Sequence, residues 1–447
     1  MRLRVQTSVL AGLLLAGCVH DQARPVDPLG FPTAFAARRL DDKPVGAVWS
    51  GPDLLAAALA RNPTVAEAEA RYRTALAAAK AARVRPSIGL TLTAEYANES
   101  PRWGAGGALD IPLDQGGRRT TRLTTADLAA LQAFYDYGEA IWATRTAVEK
   151  ARASLLLADE QLELATRAVA LRRDRFDRLS RRVAAGEDAR PASLLAQTEL
   201  IAAERRLADL RSQREQARLA LAKAVGVEPA ETRALVIKPI DAIFDPAALP
   251  TWRGEAAASR RDVLRAVADY DLAEAALRLE IAKQYPELRL SPGYNYDHGV
   301  NKLPFSISLV LPPADLNRAA IAQAEAKRAE AGRALETVQA NALAAVDQAK
   351  ATLDAAQDQA RRAEGQDLPT ARRTAVGARA SAQAGETDRT DQLAAEAAEL
   401  DAEIALADAR RATAIALVDL EDALRRPVDP AEAAVIEAAL KRIGDPK

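Results

Sequence analysis

Two stretches of this chain alternate apolar and polar residues with a period of two. In the first, Ile88, Leu90, Leu92, Ala94 and Tyr96 alternate with Ser87, Gly89, Thr91, Thr93 and Glu95, and beyond a turn the alternation resumes at Ala105, Gly107, Leu109, Ile111 and Leu113. In the second, Leu288, Leu290, Pro292, Tyr294 and Tyr296 alternate with Glu287, Arg289, Ser291, Gly293 and Asn295, followed by Leu303, Phe305, Ile307, Leu309 and Leu311. Successive strand residues point to opposite faces, so the pattern predicts two β-hairpins, each with one apolar face. The strands fall at about 87–97, 104–113, 287–297 and 303–312. About ten residues is the length of a tilted strand that crosses a bilayer's hydrocarbon layer. A soluble hairpin resting on a core has the same pattern, and the alternation alone leaves both readings open.

Around the hairpins the period lengthens to that of helices. Ser50-Gly51-Pro52 offers a helix start, with the proline in the first turn where its missing N–H costs nothing. That helix is broken near Asn62-Pro63 and ends before Pro86. From Gly117 to about Ala185 a proline-free stretch of roughly 70 residues would span roughly 100 Å, too long for a globular interior. Leu155, Leu162, Val169, Phe176 and Val183 recur every seven residues along it, the interval of coiled-coil packing. The turn at Gly186-Glu187-Asp188 reverses the chain into a helix from about Pro191 to Val225, and a second long helix from about Asn317 turns at Gly385-Glu386-Thr387 and returns from about Asp391 to Leu424. Gly365 and Pro369 predict a kink in the descending arm.

The two halves repeat. Arg61 and Arg261, Pro86 and Pro286, Tyr96 and Tyr296, Pro112 and Pro312, and Arg118 and Arg318 each lie 200 residues apart. An internal repeat signals a structural unit that closes into an array. The expected organisation is a signal peptide at 1–17, a proline-rich extended linker at 18–50, a first repeat at 51–225, a joining segment at 226–253, a second repeat at 254–427 and a tail at 428–447.

Composition narrows the function. Hydrophobic residues make up 49% of the chain but aromatics only 4%, so alanine-rich helices pack closely instead of enclosing a thick core. With 61 basic and 62 acidic residues the net charge is −1, which excludes nucleic acid as the main partner. The N-terminus has a basic start at Arg2 and Arg4, a short apolar run from Val9 to Ala16, and then Leu15-Ala16-Gly17-Cys18, which resembles a bacterial lipobox; an ordinary secretory signal with a chance cysteine is the alternative. A lipid on Cys18 would anchor the chain without spanning the membrane. Cys18 is the only cysteine, which leaves no disulfide or thiolate metal site within one protomer. The two histidines are His20 and His298; Asp297-His298 reads either as a weak metal site or as a solvated loop, and no resident metal or cofactor is expected. Neither a phosphate-binding glycine loop nor a Ser/His/Asp set is present, so no enzyme is expected.

The run Ala58-Leu59-Ala60-Arg61-Asn62-Pro63, the segment Arg261-Asp262-Val263, the strand endings Pro112…Gly116-Gly117-Arg118 and Leu311-Pro312…Asn317-Arg318, and the turns Ala185-Gly186-Glu187 and Ala384-Gly385-Glu386 together resemble the TolC-type outer-membrane efflux channel family, over about residues 50–427. Within it, Ser291-Pro292-Gly293-Tyr294-Asn295-Tyr296-Asp297 with Gly299, Asn301 and Lys302 is most similar to the heavy-metal (cobalt-zinc-cadmium type) efflux subgroup.

The resemblance implies a mainly α fold with a small transmembrane β part, built from two tandem repeats of helix, β-hairpin and long helical hairpin. Three chains with four strands each would close a twelve-stranded β-barrel continuous with a periplasmic α-helical barrel, because open edges leave backbone groups unpaired in lipid. It also implies a passive outer-membrane channel working with a periplasmic adaptor and an inner-membrane pump of the resistance-nodulation-division type, lipid-anchored at Cys18; Val19 after the cysteine favours the outer membrane. Gly186 and Gly385 would mark the periplasmic tips that meet the adaptor, although helix termination explains both glycines equally well. Asp391 would belong to an acidic ring narrowing the tunnel mouth, or is a plain solvated aspartate; a further family acid is replaced here by Ala394. Trp103, at the outer strand turn, could anchor at lipid headgroups. A channel for drugs or for protein secretion shares this fold, and a periplasmic adaptor or structural envelope lipoprotein is the reading from another class.

Overall fold

Ser50 starts the first substantial helix by a reciprocal pair of bonds. Its hydroxyl accepts the Asp53 N–H at 3.4 Å, and the Asp53 carboxylate accepts the Ser50 N–H at 2.9 Å. A computed structural model describes residues 23–44, 46–98, 100–113, 117–239 and 244–444. The signal segment, Cys18, His20 and Gly116 lie outside these residues. The chain forms two units, divided after Arg39.

In the first unit a short turn at Pro28–Gly30, capped by Asp27, leads into helix α1 (Phe31–Ala36). Phe31 stacks on Phe35 at 5.8 Å and the Arg38 guanidinium lies over the Phe35 ring at 5.2 Å. The stretch expected to be fully extended thus contains a helical turn, since Pro28 sits where a helix tolerates it best.

In the second unit β1 (Val48–Trp49) is followed by α2 (Gly51–Arg61) and α3 (Pro63–Ala82). Asn62 makes the break between these helices. Its side chain accepts the Thr64 N–H at 2.8 Å and donates to the Ala224 carbonyl at 2.7 Å. Strands β2 (Gly89–Tyr96) and β3 (Trp103–Leu113) precede the long helix α4 (Arg118–Ala184), which returns as α5 (Arg190–Val225). The joining segment contributes β4 (Val236–Ile237), parallel to β1. The second repeat contains α6 (Leu249–Ser259), α7 (Arg261–Ala282), β5 (Glu287–Asp297), β6 (Val300–Lys302), β7 (Phe305–Val310), α8 (Arg318–Arg362), α9 (Leu368–Gln383) and α10 (Arg389–Leu424), and α11 (Pro430–Ile443) ends the chain.

Helix α6 starts at Leu249, with Pro250 in its first turn. Arg61 ends α2 whereas Arg261 starts α7, so these two are not equivalents. The matching break is Asn62 with Arg260, whose guanidinium donates to the Ala423 carbonyl at 2.6 Å as Asn62 does to Ala224. The 200-residue spacing is restored because α7 has 22 residues where α3 has 20. Where the kink is expected, at Gly365 and Pro369, the helix passes through a π turn (Ala363–Asp367), a single widened turn that takes up the disruption of the helical ladder around the proline. In the tail, α11 packs on α2 and the Tyr72 hydroxyl donates to the Gly444 carbonyl at 3.0 Å.

The core is thin and repeated. Leu54, Ala58, Val148, Leu155, Leu221 and Val225 pack together in the first repeat, and Ala256, Val346, Leu353, Ala416, Leu420 and Leu424 in the second. Of the seven-residue stripe on α4 only Leu155 is fully buried; Leu162, Val169, Phe176 and Val183 are half-buried. The fully covered positions beside them are mainly alanines, Ala151, Ala158, Ala165 and Ala168, which bring neighbouring backbones close.

The sheet joins the repeats. Its order is β2-β3-β5, with β6 and β7 both paired to β5, and every neighbour is antiparallel. The last strand, expected over 303–312, is found as β7, and the pairing resumes before it in β6 beyond a break at Leu303-Pro304. Both hold the same register on β5, with Asn295 opposite Lys302 and Pro292 opposite Phe305. Pro304 separates them because it has no N–H to offer the ladder, although its carbonyl accepts the Gly293 N–H at 2.8 Å.

Candidate functional site

Pairing across the sheet collects the apolar residues of both repeats on one face. Leu90 stands opposite Leu109, Ile111 opposite Leu290, Leu113 opposite Leu288, and Leu290 opposite Ile307. Leu92, Leu303, Phe305 and Ile307 are exposed. At the far end Tyr96 and Trp103 meet edge to face at 5.1 Å, with Tyr294 and Tyr296 on the same face. The other face carries Thr91, Thr93, Glu95, Asp110, Arg289, Ser291, Asn295 and Ser306, and the Arg289 guanidinium donates to Asp110 at 2.9 Å. An exposed apolar face backed by a polar one suits a wall between lipid and water, and does not suit a hairpin resting on a core. The sheet is open in the single chain, with β2 at one edge and β6 and β7 at the other.

His298 and Gly299 form the turn of the second hairpin, with φ of 46° and 99°, between the paired Asp297 and Val300. Positive φ at both central residues gives a two-residue turn whose twist matches the strands. Asp297 is bound by the His298 ring at 2.7 Å and by Lys302. Among the described residues no three His, Cys, Asp or Glu side chains converge as a metal site.

At the opposite end lie the two helical tips. Gly186 and Gly385 have φ of 78° and 76°, and each closes its helix by the same pair of bonds: Gly186 N–H to Val183 and Glu187 N–H to Arg182, then Gly385 N–H to Ala382 and Glu386 N–H to Ser381. Helix termination therefore accounts for both glycines. The tips are tied together by Arg182, which pairs with Asp188 of its own turn at 2.9 Å and with Asp388 of the other. Asp388 also accepts the Thr390 hydroxyl at 2.9 Å. Asp391 sits in the first turn of α10, where the helix dipole favours a carboxylate, and is exposed. Ala394 is half-buried one turn further on. Just above, Arg379 bridges Glu396 at 2.9 Å and Glu399 at 3.0 Å. Burial works to raise the Glu396 pKa, but bonds from Gln392 and Arg379 outweigh it and hold the carboxyl below the usual range.

A third cluster was not foreseen from the sequence. Arg145 on α4 is 2% exposed and donates to Glu421 of α10 at 2.7 Å and to Glu432 of α11 at 2.8 Å. Glu149 and Arg152 pair beside it at 2.6 Å. Burial pushes the Glu432 carboxyl up to about 7 against the pull of Arg145, with Glu149 adding to the rise. Burial raises Glu421 as well. No local motif announces this cluster, because its members are separated by up to 287 residues; the only cue is a glutamate placed just after Pro430 at a helix start.

Residues 54–227 and 252–424 match the profile of the family described as outer membrane efflux protein. No curated protein matches the chain. Among the solved structures that share its fold are three membrane or outer-membrane proteins. A membrane protein from Pseudomonas aeruginosa is 23% identical with a TM-score of 0.68, covering 84% of this chain and 93% of its own. The outer membrane protein VceC of Vibrio cholerae is 21% identical with a TM-score of 0.69 over 85% and 97%. The CmeC outer membrane channel of Campylobacter jejuni is 14% identical with a TM-score of 0.68 over 95% and 97%.

Proposed function

The chain belongs to the outer membrane efflux protein family, and from that premise we propose that it is the outer-membrane duct of a tripartite export system. Members of the family are channels and not enzymes. The observation that carries the reading is the open antiparallel sheet with one apolar and one polar face. Four such strands cannot stand alone in lipid, because β2 and β7 would expose unpaired backbone groups. Three copies, each laying β2 against the next chain's β6 and β7, close a twelve-stranded barrel. Its polar face, with Asp110 and Arg289, lines the passage, and the helical hairpins continue it into the periplasm.

Cys18 carries the lipid in this reading, and the tips at Gly186 and Gly385 meet a periplasmic adaptor that links the duct to an inner-membrane pump of the resistance-nodulation-division type. Asp391, near the tip and free to face the axis, supplies one carboxylate per chain to a ring that draws cations and resists closure of like charges upon one another. The cargo we assign is heavy-metal cations, supported by the similarity of Ser291–Lys302 to the heavy-metal subgroup. The duct adds no energy of its own.

The purified protein in detergent should sediment as a trimer and give stepwise ion conductance in a planar bilayer. A monomer recovered in the aqueous periplasmic extract, with no conductance, would sink the proposal.

A further inference from the structure

Where the strands give way to helices the chain forms an open cavity of about 840 Å³. Its wall is of two kinds. Ile88, Ile111, Leu113 and Leu288 extend the apolar surface of the sheet into it, and arginines stand around them. Of the charged residues on the wall five are arginines and one, Glu287, is acidic. Glu287 is already engaged by Arg118, which also donates to the Tyr285 carbonyl at 2.9 Å. Arg289 is taken by Asp110 at 2.9 Å, and Arg119 donates to the Arg83 carbonyl at 3.3 Å.

Arg85 and Arg122 remain. Both are exposed, and neither pairs with a carboxylate among the described residues. Nearby Arg83, by contrast, pairs with Asp127 at 3.0 Å. The first turn of α4, with its uncompensated N–H groups, adds positive potential from the same side.

We propose that this cavity binds an anionic phospholipid from the membrane leaflet nearest the helices. Arg85 and Arg122 hold the phosphate, and the acyl chains lie along Ile88, Ile111 and Leu113. The inference rests on the reading that the apolar face of the sheet meets lipid. The planar guanidinium fork matches phosphate oxygens, and an apolar wall beside it strengthens each charge-assisted bond. The volume falls within the roughly 300–1,000 Å³ of small-molecule sites. A free phosphate ion would satisfy the arginines and leave the greasy wall bare, so the lipid is the occupant that uses both.

The test is native mass spectrometry of the full-length protein released from detergent, titrated with phosphatidylglycerol or phosphatidylcholine, with inorganic phosphate as competitor. Wild type should retain phosphatidylglycerol in preference to phosphatidylcholine. The double variant Arg85→Ala/Arg122→Ala should lose about tenfold in apparent affinity, Arg85→Lys/Arg122→Lys should keep most of it, and inorganic phosphate should not compete. Equal retention of the two lipids, or undiminished phosphatidylglycerol on the alanine variant, overturns the lipid site; displacement by inorganic phosphate overturns the lipid as occupant. Planar-bilayer conductance is recorded alongside. A wild type that conducts but shows no lipid preference removes this site alone, whereas a wild type that neither inserts nor conducts removes the membrane reading beneath it.

Discussion

Arg145 binds Glu432 across 287 residues of sequence, at 2.8 Å and almost without contact with water. The same guanidinium holds Glu421, so one side chain of the first repeat ties down the end of the second repeat and the helix that follows it. Burial works against the Arg145 charge, but Glu421, Glu432 and Glu149 together raise its pKa above the usual range. Removing one partner of such a group leaves the others buried and unmatched, which costs more than the intact arrangement stabilises.

Arg145→Ala should therefore destabilise the fold by about 3–5 kcal/mol. The effect should appear as a lowered thermal midpoint and as faster hydrogen exchange in α11 than in the sheet. Uniform exchange across both would show that Glu432 does not depend on Arg145 for its place.

Stability should also depend on pH. The Glu432 pKa is about 7 in the fold against 4.5 for a free glutamate. The folded state thus holds the proton more tightly than the unfolded chain. Stability contributed here is full below about 4.5, falls as pH rises through about 7, and levels off above it, a change on the order of 3 kcal/mol. Thermal unfolding followed by circular dichroism across that window should show the slope, and Glu432→Gln should flatten it.

Two glycines with nearly equal φ should respond differently to alanine. At Gly226, φ 82°, an added Cβ would sit 2.7 Å from the Arg61 carbonyl oxygen and 2.9 Å from the Asn62 Cα, both backbone atoms that cannot swing away. At Gly385, φ 76°, nothing lies within 4 Å. Gly385→Ala should cost only the left-handed strain of roughly 1–2 kcal/mol, and Gly226→Ala clearly more, as read from denaturant midpoints.

At the tips, Arg182→Ala breaks the bridge to Asp388 and should raise open probability in single-channel records. Asp391→Ala should raise conductance and weaken cation preference, since three carboxylates would leave the mouth together. Unchanged selectivity would remove Asp391 from the passage without touching the fold.

Much of this arrangement was legible in the residue order because it is local. Alternation at Leu288, Leu290 and Pro292 marks a strand whatever surrounds it, and Gly186 and Gly385 end helices for reasons contained within one turn. Other features come from distant pairing and were misread. Leu303-Pro304 looked continuous with its strand because alternation does not register a missing N–H. Arg61 and Arg261 looked equivalent because a letter match cannot sense two extra residues in α7. The Arg145 cluster was invisible, since only packing brings α4, α10 and α11 together. The cavity lined by Arg85 and Arg122 likewise needs the strands and helices in place before it exists.

The unlike borders of the sheet have one more consequence. A protomer that offers β2 on one side and β7 on the other can satisfy neither border with itself, and a pair of protomers still leaves two raw margins. In the proposed trimer, entry into the bilayer and completion of the ring would then be a single event, and one faulty copy would spoil the two sound ones beside it.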